Sequence, residues 1–273
     1  MGIDTNRRGF LGLFPAGVAL AYGFPASTHA SGEPGTDVEV VHPGFPSQDP
    51  ALVRETVGAS HARLDRVREL VTASPALAKA SWDWGYGDWE SALGAASHMG
   101  RRDIAELLIE HGARPNLFTQ TMLGQLDVVK AAVAAQPGIQ RIPGPHGITL
   151  LQHARHGGEP AESVVAYLES LGDADEGATS LEISDEEKQR YLGRYVFGPG
   201  DDDALDVVTN RQGNLGIKRG DDFPRVLHRV EDHGFAPGGA TAVRVRFAME
   251  KGRAVALTIH DPHPLVTALR QDS

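Results

Sequence analysis

A unit of two short helices that recurs along residues 51–174 constrains this chain more than any other feature. Its clearest copy reads Ser91-Ala92-Leu93-Gly94-Ala95-Ala96-Ser97-His98-Met99-Gly100, continues through 101–111, and ends in Gly112-Ala113-Arg114-Pro115-Asn116. Ala92, Leu93, Ala95 and Ala96 make the first helix small and apolar, which lets it pack closely. Gly100 supplies a turn. The second helix places Ile104, Leu107 and Leu108 on one face at i, i+3, i+4 spacing. Asp103 in its first turn and His111 in its last suit the helix dipole, and Gly112 supplies a left-handed cap. Residues 61–73 align with 98–110 at an offset of 37, with Val67, Leu70 and Val71 in the apolar places. Residues 124–129 repeat 100–105 at an offset of 24, and Thr149-Leu150-Leu151-Gln152-His153-Ala154 restarts the first helix, with Gly158 at its turn. About four copies result. Units that bury their apolar faces only against neighbours need roughly three.

The unit resembles the ankyrin repeat. Ser91, Ala92, Leu93 and Ala96 hold the first motif positions, while Gly94 stands where that family has histidine and Arg114 where it has aspartate. The resemblance implies an ankyrin α-solenoid over 51–174 whose fingers and first helices line a concave binding face. It therefore implies another protein as partner and no catalysis. All three tryptophans fall in Trp82-Asp83-Trp84-Gly85-Tyr86-Gly87-Asp88-Trp89, at the finger between the first two copies. Trp82, Trp84, Tyr86 and Trp89 are candidate protein-binding residues, because aromatic rings with polar edges anchor interfaces. Arg114, Phe118 and Met122 lie one finger along and extend that surface. The same rings also suit a plug for the gap beside the degenerate first copy, so both roles stay open.

Residues 181–273 change character. Ser184 and Glu187 form a capping-box pattern. Seven strand-like runs follow, at 191–197, 205–209, 214–218, 226–230, 242–249, 255–260 and 265–270. Val243, Val245 and Phe247 alternate with Arg244 and Arg246, the pattern of a strand with one buried face. The expected fold is a small antiparallel β domain, either a meander or a partly open barrel. Leu192-Gly193-Arg194-Tyr195, Val245-Arg246-Phe247 and Ala268-Leu269-Arg270 resemble the small β domain appended to serine β-lactamase-like hydrolases. No Ser-x-x-Lys occurs, so that resemblance implies an accessory module. A second functional reading is a small-ligand module holding an apolar molecule inside the barrel, between Tyr195, Val207, Phe247 and Leu257.

Residues 1–30 have the layout of an export signal, with Arg7-Arg8 before a weakly apolar core and small residues up to Ala30, the expected cleavage position. Arg7, Arg8, Phe10 and Leu11 resemble the twin-arginine signature of the Tat pathway, which implies export of an already folded chain to the periplasm or beyond. Residues 31–50, rich in proline and glycine, read as a surface linker. No later segment is apolar enough for a membrane span. The net charge of −10 disfavours nucleic acid as a partner.

The chain has no cysteine, which excludes disulfides and thiol ligands. Its sequence carries no Gly-x-Ser-x-Gly, no His-Glu-x-x-His, no phosphate loop and no dinucleotide fingerprint. His260-Asp261-Pro262-His263, the pair His153 and His156, and the run Asp201-Asp202-Asp203 offer ligand-type atoms. Each also reads as an ordinary polar loop or helix end, with His153 expected at solvent or capping a loop. On this reading no residue is assigned to catalysis, a cofactor or a metal.

Overall fold

The computed structural model describes residues 43–175 and 180–271. Arg7, Arg8, Phe10, Leu11 and Ala30, with the start of the linker, lie outside the described residues. The described residues all belong to one compact unit.

Helix α1 (Pro50–Ala59) starts where Asp49 accepts from the Ala51 N–H at 2.8 Å, and α2 (Leu64–Ala73) runs back against it. A 3₁₀ stretch, Pro75–Lys79, leads into a hairpin of β1 (Ser81–Asp83) and β2 (Trp89–Ser91), paired Ser81↔Ser91, Trp82↔Glu90 and Asp83↔Trp89. Ser91 then caps α3 (Ala92–His98), every residue of which is buried. That burial is why the segment is built from alanine, glycine and serine, since larger side chains would hold the neighbouring helices apart. Helix α4 (Arg102–Glu110) buries Ile104, Ala105, Leu107 and Leu108. Helices α5 (Leu117–Met122), α6 (Leu126–Ala135), α7 (Leu150–His156) and α8 (Glu162–Leu171) follow. Their first members open on caps, Asn116 for α5 and a Thr149–Gln152 capping box for α7.

This architecture overturns the expected ankyrin solenoid. Among the described residues the chain forms nine helices and a closed eight-stranded antiparallel barrel. In a solenoid each unit touches only the next, and every repeat carries its own finger. Here α5 has only six residues, and α7 reaches past it to pack on α3. The His156 ring bonds the His98 carbonyl, and a Cβ at Gly100 (φ +64°) would lie 2.2 Å from the His156 carbonyl oxygen. Only one β-hairpin occurs among these helices, and short 3₁₀ turns such as Ile139–Arg141 and Pro145–Gly147 replace further fingers.

Helix α9 (Asp185–Gln189), closed by the Ser184–Glu187 capping box, leads to the barrel. Its strands are β3 (Gly193–Val196), β4 (Ala204–Thr209), β5 (Leu215–Lys218), β6 (Arg225–Glu231), β7 (Gly234–Pro237), β8 (Arg244–Glu250), β9 (Arg253–Asp261) and β10 (His263–Arg270). Each pairs with the next, and β10 pairs with β3 to close the ring. The expected open form lacked β7, whose Gly-Phe-Ala-Pro sequence reads as a turn yet is buried at all four positions. Closure leaves no free sheet edge.

The interior is packed. Tyr191, Tyr195, Phe235 and Phe247 stack edge-on and tilted with ring centres 4.9–5.8 Å apart. Tyr195 donates its hydroxyl to the Tyr191 carbonyl at 2.6 Å, which satisfies a phenol that is fully buried. Tyr195, Val207, Phe247 and Leu257 all sit in this one core and fill its middle with their own side chains, while a cavity of about 380 Å³ opens between Leu205, Ile217, Ile259 and Val266 and the hairpin residues Trp84, Gly85 and Tyr86. The hairpin joins the two parts: Tyr86 at its tip packs against the barrel core, and burial pushes its phenol up to about 12.

Candidate metal centre

Strand β2 and the bend before it read Asp88-Trp89-Glu90, and the two-residue strand period sends both acids to the same side. Asp88 and Glu90 are buried while Trp89 between them is 64% exposed. Glu90 meets three imidazoles. His146 Nε2 lies 3.4 Å from Glu90 Oε1, His98 Nδ1 lies 3.5 Å from the same oxygen, and His61 Nε2 lies 3.5 Å from Oε2. One donor atom from each of His61, Glu90, His98 and His146 falls within 4.8 Å of all the others. Two ligands bound at roughly 2.1 Å to a tetrahedral ion stand about 3.4 Å apart, which is the spacing of His98 and His146 from Oε1, while His61 stands at that distance from Oε2.

The far side of most ligands is already held. His61 Nδ1 faces the Val57 and Gly58 carbonyls at 3.2 Å each, which leaves Nε2 for the centre. His146 Nδ1 bonds Asp88 Oδ2 at 2.7 Å, and the His146 backbone N–H donates to Asp88 Oδ1 at 2.9 Å. Those two bonds hold His146 in the left-handed region (φ 60°), where a non-glycine residue costs about 1–2 kcal/mol. Trp84 Nε1 donates to Glu90 Oε2 at 2.8 Å, which turns Oε1 inward. A carboxylate behind a histidine and a donor behind a carboxylate are the outer partners that orient metal ligands. Asp88 is also gripped by Arg225 of β6, whose Nη2 donates to the Trp84 carbonyl at 2.9 Å. Gly239 (φ +80°) allows this: a Cβ there would lie 2.6 Å from the Asp88 carboxyl carbon.

Four buried atoms of the cluster and its neighbour have no hydrogen-bond partner among the described residues: Glu90 Oε1, both ring nitrogens of His98, and His153 Nε2. Such orphans are costly, and a cation between the donors removes the penalty for Glu90 Oε1 and one His98 nitrogen. The electrostatics agree. Burial pushes His98 down to about 4, against the pull of Glu90, so it is a neutral ring with a free lone pair. Burial also disfavours charge on Glu90, yet His146 first, then His61 and His98, bring its carboxyl below the usual range. Asp88 is likewise opposed by burial but held at about 2 by His146 and Arg225. His146 is opposed by burial and raised to about 9 by Asp88 and Glu90. A proton on His146 Nε2 therefore stands where an ion would take its place.

The centre opens on one side. His98 and Glu90 form its buried floor, and His61 and His146 face a cleft of about 570 Å³ between the helices and the barrel. Imidazole nitrogen with one carboxylate oxygen suits a first-row divalent ion such as zinc, iron, copper or nickel.

The residues singled out from sequence scatter. Trp82 packs on the helical core with Arg54 6.0 Å from its ring centre, Trp84 backs Glu90, and Tyr86 enters the barrel core. Trp89 and Arg114 are exposed, Phe118 stacks on His153 with ring centres 4.8 Å apart, and Met122 is fully buried. These side chains make no common aromatic surface. His153, expected at solvent or capping a loop, is fully buried with its Nδ1 2.8 Å from the Thr149 carbonyl. Among the described residues His260 and His263 join no group of three or more ligand-type side chains, and the run at 201–203 stays in a polar loop with Asp203 beside Arg219. Sequence reading missed His61, Asp88, Glu90, His98 and His146. The available signal was the alignment of His61 with His98 at equivalent positions of two adjacent helix pairs, together with two acids two residues apart on a strand. A search of protein-family models and of curated proteins found no match to this chain.

Proposed function

We propose that this protein binds one divalent transition-metal ion through His61, Glu90, His98 and His146 and uses it to act on a small molecule entering the adjoining cleft. The observation that carries this reading is the set of three imidazoles whose nitrogens stand 3.4–3.5 Å from the buried Glu90 carboxylate, two of them, His61 and His146, fixed from behind. It displaces the reading as a non-catalytic binding scaffold, which required that no reactive side chains converge in a cleft. An ion held by these four donors would supply Lewis acidity by taking a fifth ligand from the cleft side, where His61 and His146 stand. The chain's own residues then have distinct tasks. Glu90 and His98 fix the buried half of the site, His61 and His146 complete it at the cleft, and Asp88 and Trp84 set the orientation of His146 and Glu90. The twin-arginine-like leader at Arg7-Arg8 fits a centre assembled before export, since that route carries folded chains.

Elemental analysis of the protein after chelator treatment and reloading with zinc or cobalt tests this. One ion per chain is expected, falling well below one in Glu90→Gln and His61→Ala. Glu90→Gln preserves shape, and His61 is part-exposed, so both variants should keep the fold by circular dichroism. Stoichiometry near zero in the parent, or near one in both variants, overturns the proposal.

A further inference from the structure

The cleft walls allow the occupant to be described, on the assumption that the metal reading of its floor holds. We infer that the cleft takes an uncharged, flat, apolar small molecule with a single metal-ligating head group. Its volume of about 570 Å³ lies within the range of small-molecule sites. The apolar walls are Trp84 from the hairpin and Phe223 and Val226 from the barrel side. Trp84 is pinned edge-on to Glu90, so its position is fixed relative to the floor. Phe223 is 95% exposed and stands at the rim of the cleft. Gly58 lines the cleft from inside α1, a place where glycine weakens a helix. A Cβ there would meet only the Trp84 ring, at 3.8 Å, so the open volume in front of it is real.

The charged groups of the walls are spent on each other. Arg54 pairs with Asp222 at 2.9 Å. Arg225 is committed to Asp88 and to the Trp84 and Gly238 carbonyls, the latter two at 2.9 Å. No lining cation is left unpaired for a phosphate or a second carboxylate, and unpaired charge on the ligand body would be desolvated without compensation. The remaining polar wall group is His228, half-buried and held below its usual range by burial. It offers the body one neutral hydrogen bond. At the floor His61 and His146 border the cleft, which brings a ligating oxygen on the guest within reach of the ion they hold.

The test uses the full chain loaded with cobalt, titrated with benzohydroxamic acid and with acetohydroxamic acid and read by the visible spectrum of the ion. The two probes share one chelating head, which releases its N–OH proton to solvent on binding the ion, and differ only in the uncharged body, a ring or a methyl group. Benzohydroxamate should bind at least about tenfold more tightly, the gain expected from burying a ring, and inorganic phosphate should compete weakly. Val226→Phe narrows the cleft from the barrel side, at a residue outside the donor set, and Phe223→Ala strips its rim at an exposed site. Each should lower the benzohydroxamate preference, with cobalt still at one per chain. Equal affinity of the two probes, or a preference that survives in both variants, overturns the inference while leaving the metal centre standing. Failure to bind cobalt at all removes the centre and the inference together.

Discussion

Loading the centre should expel a proton at neutral pH, and His146 sets the size of the effect. Its imidazole is held at about 9, so at pH 7 roughly ninety-nine molecules in a hundred carry both ring protons. Nδ1 is committed to Asp88, so the proton that must leave is on Nε2, which faces Glu90. Removing it at pH 7 opposes binding by about two pH units, or about 2.7 kcal/mol. Affinity should therefore rise about tenfold per pH unit from 7 to about 9 and then level off. His98, pushed down to about 4, is neutral across this window and adds no slope. The assay is isothermal titration calorimetry of zinc into metal-free protein, run at pH 7 in two buffers with different heats of ionisation and repeated at pH 8. About one proton per ion should be released. Asp88→Asn, which removes the partner that raises His146, should reduce both the release and the slope. Binding with no proton release, or with an affinity that is flat from pH 7 to 9, refutes the assignment of His146 as a ligand.

The metal-free protein should carry a related signature. His146 is raised in the folded state, so its stabilising contribution is complete below about 6.5 and is lost as pH climbs through about 9, up to about 3 kcal/mol in all. Urea midpoints at pH 6 and pH 10 measure this, and zinc should flatten the difference. Tyr86→Ala should cost about 2–4 kcal/mol by emptying a ring-sized space at the barrel core, seen as a lower urea midpoint. Gly100→Ala places a methyl group against the His156 carbonyl at 2.2 Å in a left-handed turn, and should cost more than about 1 kcal/mol in the same assay. Trp89→Ala, at a side chain that stands in water, should leave stability within about 0.5 kcal/mol and metal stoichiometry unchanged.

The helices were legible because their apolar spacing and caps are local. Ile104, Leu107 and Leu108 of α4, the Ser184–Glu187 box and the turn at Lys251-Gly252 all form as their sequences dictate. What failed was the inference from local units to their arrangement. Whether α7 stops at α5 or reaches α3 depends on how long α5 is and on which glycines leave room, and neither is encoded in the repeat period. The β domain was expected as a meander or partly open barrel of seven strands, and the strand missing from that count is β7, four residues long, with a glycine and a proline at its ends that obscure its pattern. The centre was the least legible part. His61, Glu90 and His98 come from three separate segments, and His146 joins them from a 3₁₀ turn with no periodic signal. The tryptophan cluster lies in the same stretch as the centre, where Trp84 donates to Glu90, Trp82 packs on the helical core and Trp89 stands in water.

The hairpin tip seated in the barrel has a thermodynamic consequence. Tyr86 is anchored in one hydrophobic core while Glu90, four residues on, serves a site built in the other, and Arg225 ties the same strand down from the barrel side. Melting the barrel would release the hairpin and with it the acids, so the two halves share a single unfolding event. An ion held by residues of the helical half would then protect barrel amides from solvent exchange, and removing the barrel would abolish binding even though every ligand lies before it.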